Sequence, residues 1–398
     1  MRILVVSQYY YPEPFRIHEI CESLVKEGHT VTVVTTNPNY PNGEIYDGYK
    51  DRYFEEIING VKVIRCQSRP RHQGNLSLAL NYISFCINAS IEVMRIKENY
   101  DIVFSYQLSP ITSALPAIFY KRKAHIPMLL YCLDVWPESL KGSPLEKGIL
   151  YKLIKKLSIY VYNSADKVLV TSPCFVDYIN NLCKRVDVEV LYQHANEITM
   201  VEVPEELREY KTYKNFMFIG NVGRSQNIEC LLKAVSLIKD RSKFKLHIVG
   251  SGSFLSKSIE IATDLGINDA VVFHGRKPRE EMPKYYSIAD VCIVSLKDEG
   301  FVGYTVPGKL QEYMAAGKAI LGCINGDAKK LIEKSHCGIC VEANNSKLLA
   351  SAFLRYVENP ALIDFYEKKS KKTYYDNFSL TRFIDKLQCE LKKIQRRF

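Results

Sequence analysis

Lys309 and Glu312 stand three residues apart in the run Gly303-Tyr304-Thr305-Val306-Pro307-Gly308-Lys309-Leu310-Gln311-Glu312-Tyr313-Met314-Ala315-Ala316-Gly317-Lys318. Pro307 fits a first helical turn and Gly317 a helix end, so the run reads as a loop entering a helix of small residues. Lys309 then falls in the first turn, where the helix dipole disfavours an ammonium unless an anion lies against it; a diphosphate is such an anion. Glu312 lies on nearly the same face, and a carboxylate there can accept both hydroxyls of a ribose. Phosphate and ribose contacts together make a nucleotide grip. The simpler alternative is a Lys–Glu pair on a solvated helix.

A second phosphate-binding phrase is Gly220-Asn221-Val222-Gly223-Arg224-Ser225-Gln226-Asn227, between the apolar run Phe216–Gly220 and the helical run Ile228–Ile238. Gly220 and Gly223 let backbone N–H groups approach a phosphate, the following helix start favours negative charge, and Arg224 can pair with it. Taken alone, the phrase also fits an ordinary glycine-containing turn. A third group, Asp134, Trp136 and Glu138, follows the apolar run Met128–Cys132. A carboxylate there can orient or deprotonate a hydroxyl, and the chain's single tryptophan can stack on a sugar ring. Alternatively Asp134 caps a helix and Trp136 packs in the core.

These residues need strands that end beside one another. The first half alternates β-rich runs (Ile3–Ser7, Thr30–Thr35, Val61–Arg65, Asp101–Ser105, Met128–Cys132, Lys167–Thr171) with helical stretches, which predicts a parallel sheet with crossover helices. The charged, proline-containing stretch from Glu197 to Lys214 reads as a linker. A second series follows: Phe216–Gly220, Lys245–Gly250, Ala270–Phe273, Val291–Leu296, Ala319–Cys323 and Gly338–Glu342. The predicted organisation is α/β: a Rossmann-like first domain over 1–196, a linker over 197–214, a Rossmann-like second domain over 215–375, and a helical tail over 376–398. In the tail, Phe383, Leu387 and Leu391 form one apolar stripe suited to packing back across both domains. Ligands of such sheets sit at the carboxyl ends of strands, so two facing domains predict a shared cleft.

Composition narrows the class. With 398 residues, 47% of them hydrophobic, the chain has material for two cores and is not disordered by composition. A formal net charge of +10 favours phosphates, anionic lipid or nucleic acid. Of the twelve cysteines, Cys21, Cys66, Cys86, Cys132, Cys230 and Cys292 stand singly in apolar stretches; Cys337 and Cys340 have CxxC spacing but lack a second pair, so a structural role is expected. Neither a DxD run nor a metal-ligand cluster is present in the sequence, and metal-independent chemistry without a cofactor is expected. The N-terminal Met1-Arg2-Ile3-Leu4-Val5-Val6-Ser7 turns polar too soon for a secretory signal, so a cytoplasmic location is expected.

With Gly220-Asn221-Val222-Gly223, Gly275-Arg276-Lys277-Pro278 and the Gly303–Lys318 run, the chain resembles the retaining glycosyltransferases of family 4, which have the two-Rossmann-domain GT-B architecture. The resemblance extends over nearly the whole chain and is closest to the branch that assembles bacterial capsule, O-antigen and exopolysaccharide repeat units. Its N-terminal marks are Tyr11-Pro12-Glu13, Gly28-His29, Pro38-Asn39-Tyr40-Pro41 and Asp134-Val135-Trp136-Pro137-Glu138-Ser139. It implies hexosyl transfer from a nucleotide diphosphate sugar to a polyprenyl-diphosphate-linked saccharide. Donor contacts are then expected from Gly220, Asn221, Gly223, Arg276, Lys277, Tyr304, Thr305 and Glu312, and acceptor contacts from Trp136, Glu138 and Arg16. Arg224, Lys309 and Asp134 are the expected catalytic groups, and backbone near Arg276 and Lys277 would meet the base, uracil by preference.

Two departures from the family pattern bear on the donor. The family's two donor-binding glutamates stand seven residues apart; Glu312 matches the second, whereas Tyr304 occupies the first. The usual basic pair after the first strand of the second domain is replaced by Asn221 and Gln226, with Arg224 between them. The resemblance also implies front-face attack, in which the leaving diphosphate takes the acceptor's proton and cations stabilise the departing oxygen. Without a facing pair of carboxylates, the two-carboxylate chemistry of glycosidases does not apply.

Leu76 to Ile91 carries no charge, and Ser77, Asn81, Ser84 and Asn88 form one polar stripe on it, too polar to span a bilayer comfortably. Basic residues cluster at Arg65, Arg69 and Arg71, at Lys121, Arg122 and Lys123, and at Lys152, Lys155 and Lys156. The pattern suits peripheral binding to an anionic membrane surface; solvated helix faces with one buried helix are the alternative. A nucleotide-sugar epimerase of the same fold remains a rival reading. A nucleic-acid-binding protein ranks below both, since aromatics are not interleaved with the basic residues along one face.

Overall fold

The run Ile3–Val6 is fully buried, with a strand hydrogen-bonded on each side of it. It belongs to β1 (Arg2–Val6), followed by α1 (Ile17–Lys26), β2 (Thr30–Thr36), β3 (Phe54–Ile58), β4 (Val61–Cys66), α2 (Asn75–Arg95) and β5 (Ile102–Gln107). Then come α3 (Leu115–Ala124), β6 (Met128–Cys132), α4 (Ile149–Ser164), β7 (Lys167–Val170), α5 (Pro173–Leu182) and β8 (Val188–Val190). The sheet order is β3-β4-β2-β1-β5-β6-β7-β8. This is the architecture of a computed structural model in which residues 1–72, 74–140, 146–184 and 186–398 are described.

All pairs in this sheet are parallel except β3 with β4. β3 lies outside the strands expected from sequence: Phe54-Glu55-Glu56-Ile57-Ile58 is an edge strand with Glu55 and Ile57 facing water. It pairs through the turn Asn59-Gly60, where both residues have positive φ (48° and 83°), the conformation that an Asn-Gly hairpin turn favours. Arg65 on β4 is fully buried rather than part of a surface cluster. Its guanidinium pairs with Glu56, donates to the carbonyls of Thr36 (3.0 Å) and Tyr11 (2.6 Å), and stacks on Tyr49. A buried charge needs such partners.

The second sheet comprises β9 (Lys214–Ile219), β10 (Phe244–Val249), β11 (Val271–Gly275), β12 (Val291–Ser295), β13 (Ala319–Cys323) and β14 (Gly338–Val341), in the order β11-β10-β9-β12-β13-β14. Its helices are α6 (Ile228–Ser236), α7 (Leu255–Asp264), α8 (Met282–Ile288), α9 (Gly308–Ala315), α10 (Gly326–Ser335), α11 (Ser346–Glu358) and α12 (Pro360–Asn377), and the chain ends in α13 (Leu380–Gln395). Every pair is parallel, and the order reverses between β9 and β12. Two Rossmann-like α/β domains are thus present, and in the second the reversal places a ligand crevice at the carboxyl ends of β9 and β12.

The chain divides into Met1–Leu191 with Ile384–Phe398, and Tyr192–Phe383. The stretch 197–214 lies within the second unit: it contains a 3₁₀ helix, Glu205–Thr212, that starts after Pro204 and buries Leu207. The tail returns to the first unit from Ile384 onward. Leu387 and Leu391 are fully buried there, and Lys167 joins Glu390 of α13 (3.4 Å) to Asp187 (2.8 Å) and Glu189 (2.9 Å) beside β8. The Cys337 and Cys340 thiols are free and donate to different carbonyls, those of Ile332 and Ile324.

Candidate nucleotide site

In the second unit the strand ends are locked backbone to backbone. Gly220 N donates to Val249 O (2.9 Å), Gly250 N to Gly275 O (2.8 Å) and Val222 N to Ser251 O (2.9 Å). A Cβ at Gly250 would lie 1.8 Å from Gly220 O, and its φ of +149° disfavours side chains as well. Only glycine allows the turns after β9 and β10 to close this far. Gly250→Ala is accordingly expected to destabilise the second unit by about 2–4 kcal/mol, measured as a lower denaturation midpoint. Beside this contact lies a cavity of about 270 Å³ lined by Gly220, Asn221, Gly250, Ser251, Arg276 and Lys277, among others.

Of the expected donor residues, Gly220, Asn221, Arg276 and Lys277 therefore share one cavity. Lys309 approaches the same turn from α9, which starts at Gly308 with Pro307 just outside, so Lys309 is in the first turn. Its ammonium sits 3.9 Å from the centre of the Phe218 ring, hydrogen-bonds the Gln226 side-chain oxygen, and would lie 3.5 Å from a Cβ at Gly220. One turn on, the buried Tyr313 hydroxyl accepts from Ile219 N (2.9 Å) and donates to Ile219 O (3.0 Å), tying α9 to the end of β9. Burial lowers the Lys309 pKa to about 7, with Glu312 pulling the other way. Such a lysine gains its charge most readily when an anion arrives.

Glu312 is partly exposed, with the Arg279 guanidinium 4.0 Å away. Tyr304 is exposed in the turn Phe301–Tyr304, and its hydroxyl bonds Asp298, which raises the phenol pKa. Its backbone rests on Gly326, where a Cβ would meet Tyr304 Cα at 2.4 Å. Thr305 follows, half-buried. Arg224 is exposed on the 3₁₀ turn Arg224–Gln226, and Gly223 precedes that turn as its cap.

Sequence reasoning singled out Gln226 only as a lost basic residue, yet Gln226 is what Lys309 bonds. It also passed over Asn215, His247 and His274. The Asn215 amide donates to the carbonyls of Tyr210 and Tyr213, so its oxygen accepts from His247 Nε2, and His247 Nδ1 accepts from His274 Nε2, the last two at 2.9 Å. Burial keeps both rings neutral, lowering His247 to about 3 and His274 to about 4. The chain of bonds braces β11 one residue before Gly275-Arg276-Lys277.

In the first unit, the loops after β5 and β6 are tied together. Asp134 Oδ2 accepts from Ser109 N (3.1 Å) and Ser109 Oγ (2.8 Å), while Trp136 Nε1 donates to Ser109 Oγ (3.2 Å). Trp136 is 9% and Glu138 8% exposed, so both side chains help build this loop. Tyr162 brackets the Trp136 backbone, accepting from its N–H and donating to its carbonyl. Arg16, half-buried, precedes α1. Nearby, the buried Glu13 carboxylate accepts from Asn39 N (2.9 Å) and Tyr40 N (2.8 Å), joining the Tyr11-Pro12-Glu13 and Pro38–Pro41 phrases. Burial raises its pKa to about 7 despite those bonds. Asp134→Ala is expected to cost about 1–3 kcal/mol by leaving the Ser109 N–H without its acceptor. Asp134→Asn should recover most of that in thermal unfolding, since its amide oxygen can accept the same bonds.

The described residues contain no group of three or more His, Cys, Asp or Glu placed to hold a metal ion. Residues 15–192 match the family model described as "Glycosyl transferase 4-like domain", and residues 201–374 match "Glycosyl transferases group 1". The chain is a GT-B glycosyltransferase. Among relatives of this glycosyltransferase, the probable glycosyltransferase WbjE of Pseudomonas aeruginosa is 29% identical over 56% of the chain, a match that spans 60% of WbjE. The putative colanic acid biosynthesis glycosyl transferase WcaI of Escherichia coli is 21% identical over 80% of this chain and 82% of its own. The fold matches sucrose-phosphate synthase from Thermosynechococcus elongatus (TM-score 0.80, 17% identity, both chains fully covered). It also matches Anabaena HepE solved with UDP (TM-score 0.72, 13% identity, 99% of this chain and 100% of that one).

Proposed function

We propose that this glycosyltransferase moves a hexose-type sugar, with retention and without a metal ion, from a uridine diphosphate sugar to a lipid-linked saccharide. The acceptor in this reading is polyprenyl-diphosphate-linked and belongs to capsule, O-antigen or exopolysaccharide assembly at the inner face of an anionic plasma membrane. The observation that carries the donor half is the placement of Lys309. Its ammonium lies against the Gly220 turn, bonded to an amide oxygen and set over an aromatic face, and Glu312 stands one turn along the same helix.

In this reading a diphosphate enters at Gly220, Asn221 and Gly223. Lys309 neutralises the departing oxygen, assisted by Arg224 from the neighbouring turn, and Glu312 takes the ribose hydroxyls. Two cations on the diphosphate perform the charge stabilisation a divalent ion would otherwise supply. The base lies in the cavity beside Arg276 and Lys277, and the solved relative that holds UDP supports uracil. The leaving diphosphate accepts the proton of the acceptor hydroxyl, so no second carboxylate is required. Asp134 orients the acceptor loop in the first unit.

Tyr304 stands where the family pattern places a carboxylate beside the transferred sugar. This supports an N-acetylated or deoxy sugar. The colanic acid relative supports the polysaccharide setting. Thermal unfolding with UDP, GDP and their sugars tests the donor: UDP ligands should raise the melting temperature and GDP ligands should not. Product NMR then reads the anomeric configuration, and transfer in EDTA reads metal independence. Stabilisation by GDP-sugars alone would overturn the base assignment.

A further inference from the structure

The polar stripe of α2 does not face water. Asn81 is fully buried; its amide donates to Arg69 O (2.6 Å) and its oxygen accepts from Gln8 Nε2 (2.9 Å). Ser84 Oγ accepts from Arg69 N (2.9 Å), and Asn88 Nδ2 donates to Gln67 O (2.8 Å). These bonds serve the extended chain after β4, whose backbone groups otherwise lack a strand partner there. Phe85, Ala89 and Val93 fill the core on the adjoining face.

The remaining face is apolar and points outward. Leu76 is 75% exposed, Ile83 and Ile87 are 53%, Ile91 43% and Met94 51%. Their spacing of seven, four, four and three residues makes one stripe, about 27 Å long at 1.5 Å per residue. A helix on a water-exposed surface normally shows the reverse pattern. Among the described residues α2 is the one helix long and apolar enough to cross a membrane by composition. Its bonds through Asn81 and its packing through Phe85 hold it to the sheet instead, which leaves it able to lie along an interface.

The surface continues onto its neighbours. α3 packs against α2 and exposes Phe119, while α4 packs against α3 and exposes Ile149, Leu150 and Leu153. The same three helices also carry the exposed Arg95, Arg122, Lys123, Lys152, Lys155 and Lys156. Lys123 caps the far end of the stripe, donating to the carbonyls of Met94 and Ile96; Glu92, the acid within α2, is paired with Arg95 (2.9 Å). Apolar side chains bordered by cations match the layering of an anionic bilayer, acyl chains beneath phosphates.

We propose that the outward face of α2, with the exposed start of α4, is the surface by which the protein docks in the interfacial layer of an anionic phospholipid bilayer. This deepens the lipid-linked acceptor reading by assigning membrane contact to named residues, and vesicle binding tests it with neither donor nor acceptor present. Wild-type protein should sediment with phosphatidylglycerol-containing vesicles and much less with pure phosphatidylcholine ones. The double substitution Ile83→Asp with Ile87→Asp should weaken partitioning roughly tenfold or more while leaving the melting temperature and UDP binding intact. Replacing Lys152, Lys155 and Lys156 by Glu should remove the preference for anionic vesicles. In a third variant, Ile87→Trp, the fluorescence of the new indole should be quenched by lipids brominated in the upper acyl chain.

Unchanged vesicle binding in the aspartate variant, or no quenching of the indole, would overturn the proposal. So would a lipid-free wild-type dimer that the aspartate substitutions dissociate, since the occupant of the face would then be a second copy. Normal membrane docking together with failed stabilisation by UDP ligands would leave this surface standing and remove the donor reading alone.

Discussion

Lys309→Ala is expected to lower the turnover number for sugar transfer about 10²–10³-fold, the usual loss when one preorganised donor to a developing oxyanion is removed. UDP affinity should fall as well, because in the proposed donor site the same ammonium meets the diphosphate in the ground state. The fold should survive. The described contacts of Lys309 are the Gln226 side-chain oxygen and the Phe218 ring, and α9 is held by Tyr313 on the Ile219 backbone and by Leu310 and Met314 in the core. Lys309→Met separates charge from packing, since its thioether chain can cover Phe218 as the lysine stem does. If the charge is what matters, both variants lose turnover equally and the methionine variant keeps its melting temperature. Retention of wild-type turnover by either would remove Lys309 from the chemistry. Steady-state UDP release alongside thermal unfolding reads both quantities.

Lys309 was legible in the sequence because proline and glycine punctuate its helix at both ends, and those residues act through backbone conformation alone. The central strands were legible for a similar local reason: a parallel strand covered on both faces reads as an unbroken apolar run, as Met128–Cys132 and Val291–Ser295 do. β3 carries two glutamates on an exposed edge and lacks that signature; its Asn59-Gly60 turn was the available signal. Contacts between distant segments left no local trace. Gln226 meets Lys309 across 83 residues, and His247 meets His274 across 27, because strand order rather than sequence spacing brings them together. Arg65 misled for the opposite reason: its charge suggested a surface, while Glu56 and two carbonyls on neighbouring segments make burial tolerable. The polar stripe of α2 was visible, but its direction depended on which backbone groups in 67–69 needed partners.

The low pKa of Lys309 gives donor binding and folding pH dependences of opposite sign. In the empty protein burial lowers the ammonium's pKa to about 7, with Glu312 opposing the shift. A diphosphate favours the charged form, so its pKa rises on binding and the complex takes up a proton above pH 7. UDP affinity should therefore be level below about pH 7 and fall with rising pH above it, by up to about tenfold per unit. Folding runs the other way: the unfolded lysine keeps its ordinary pKa of 10.5, so from pH 7 to 10 the unfolded chain holds more protons than the folded one. The Lys309 contribution to stability consequently rises through that window, and below pH 7 it sits at its lowest level. Titrating wild type against Lys309→Met isolates both terms from the other ionisable groups. The difference in melting temperature should grow in favour of wild type as pH rises, while calorimetry in buffers of different ionisation enthalpy should show proton uptake on UDP binding by wild type alone. Affinity that is flat from pH 6 to 9 would mean that the ammonium is already charged in the empty site, and the diphosphate would then be held without the proton that the buried lysine is arranged to gain.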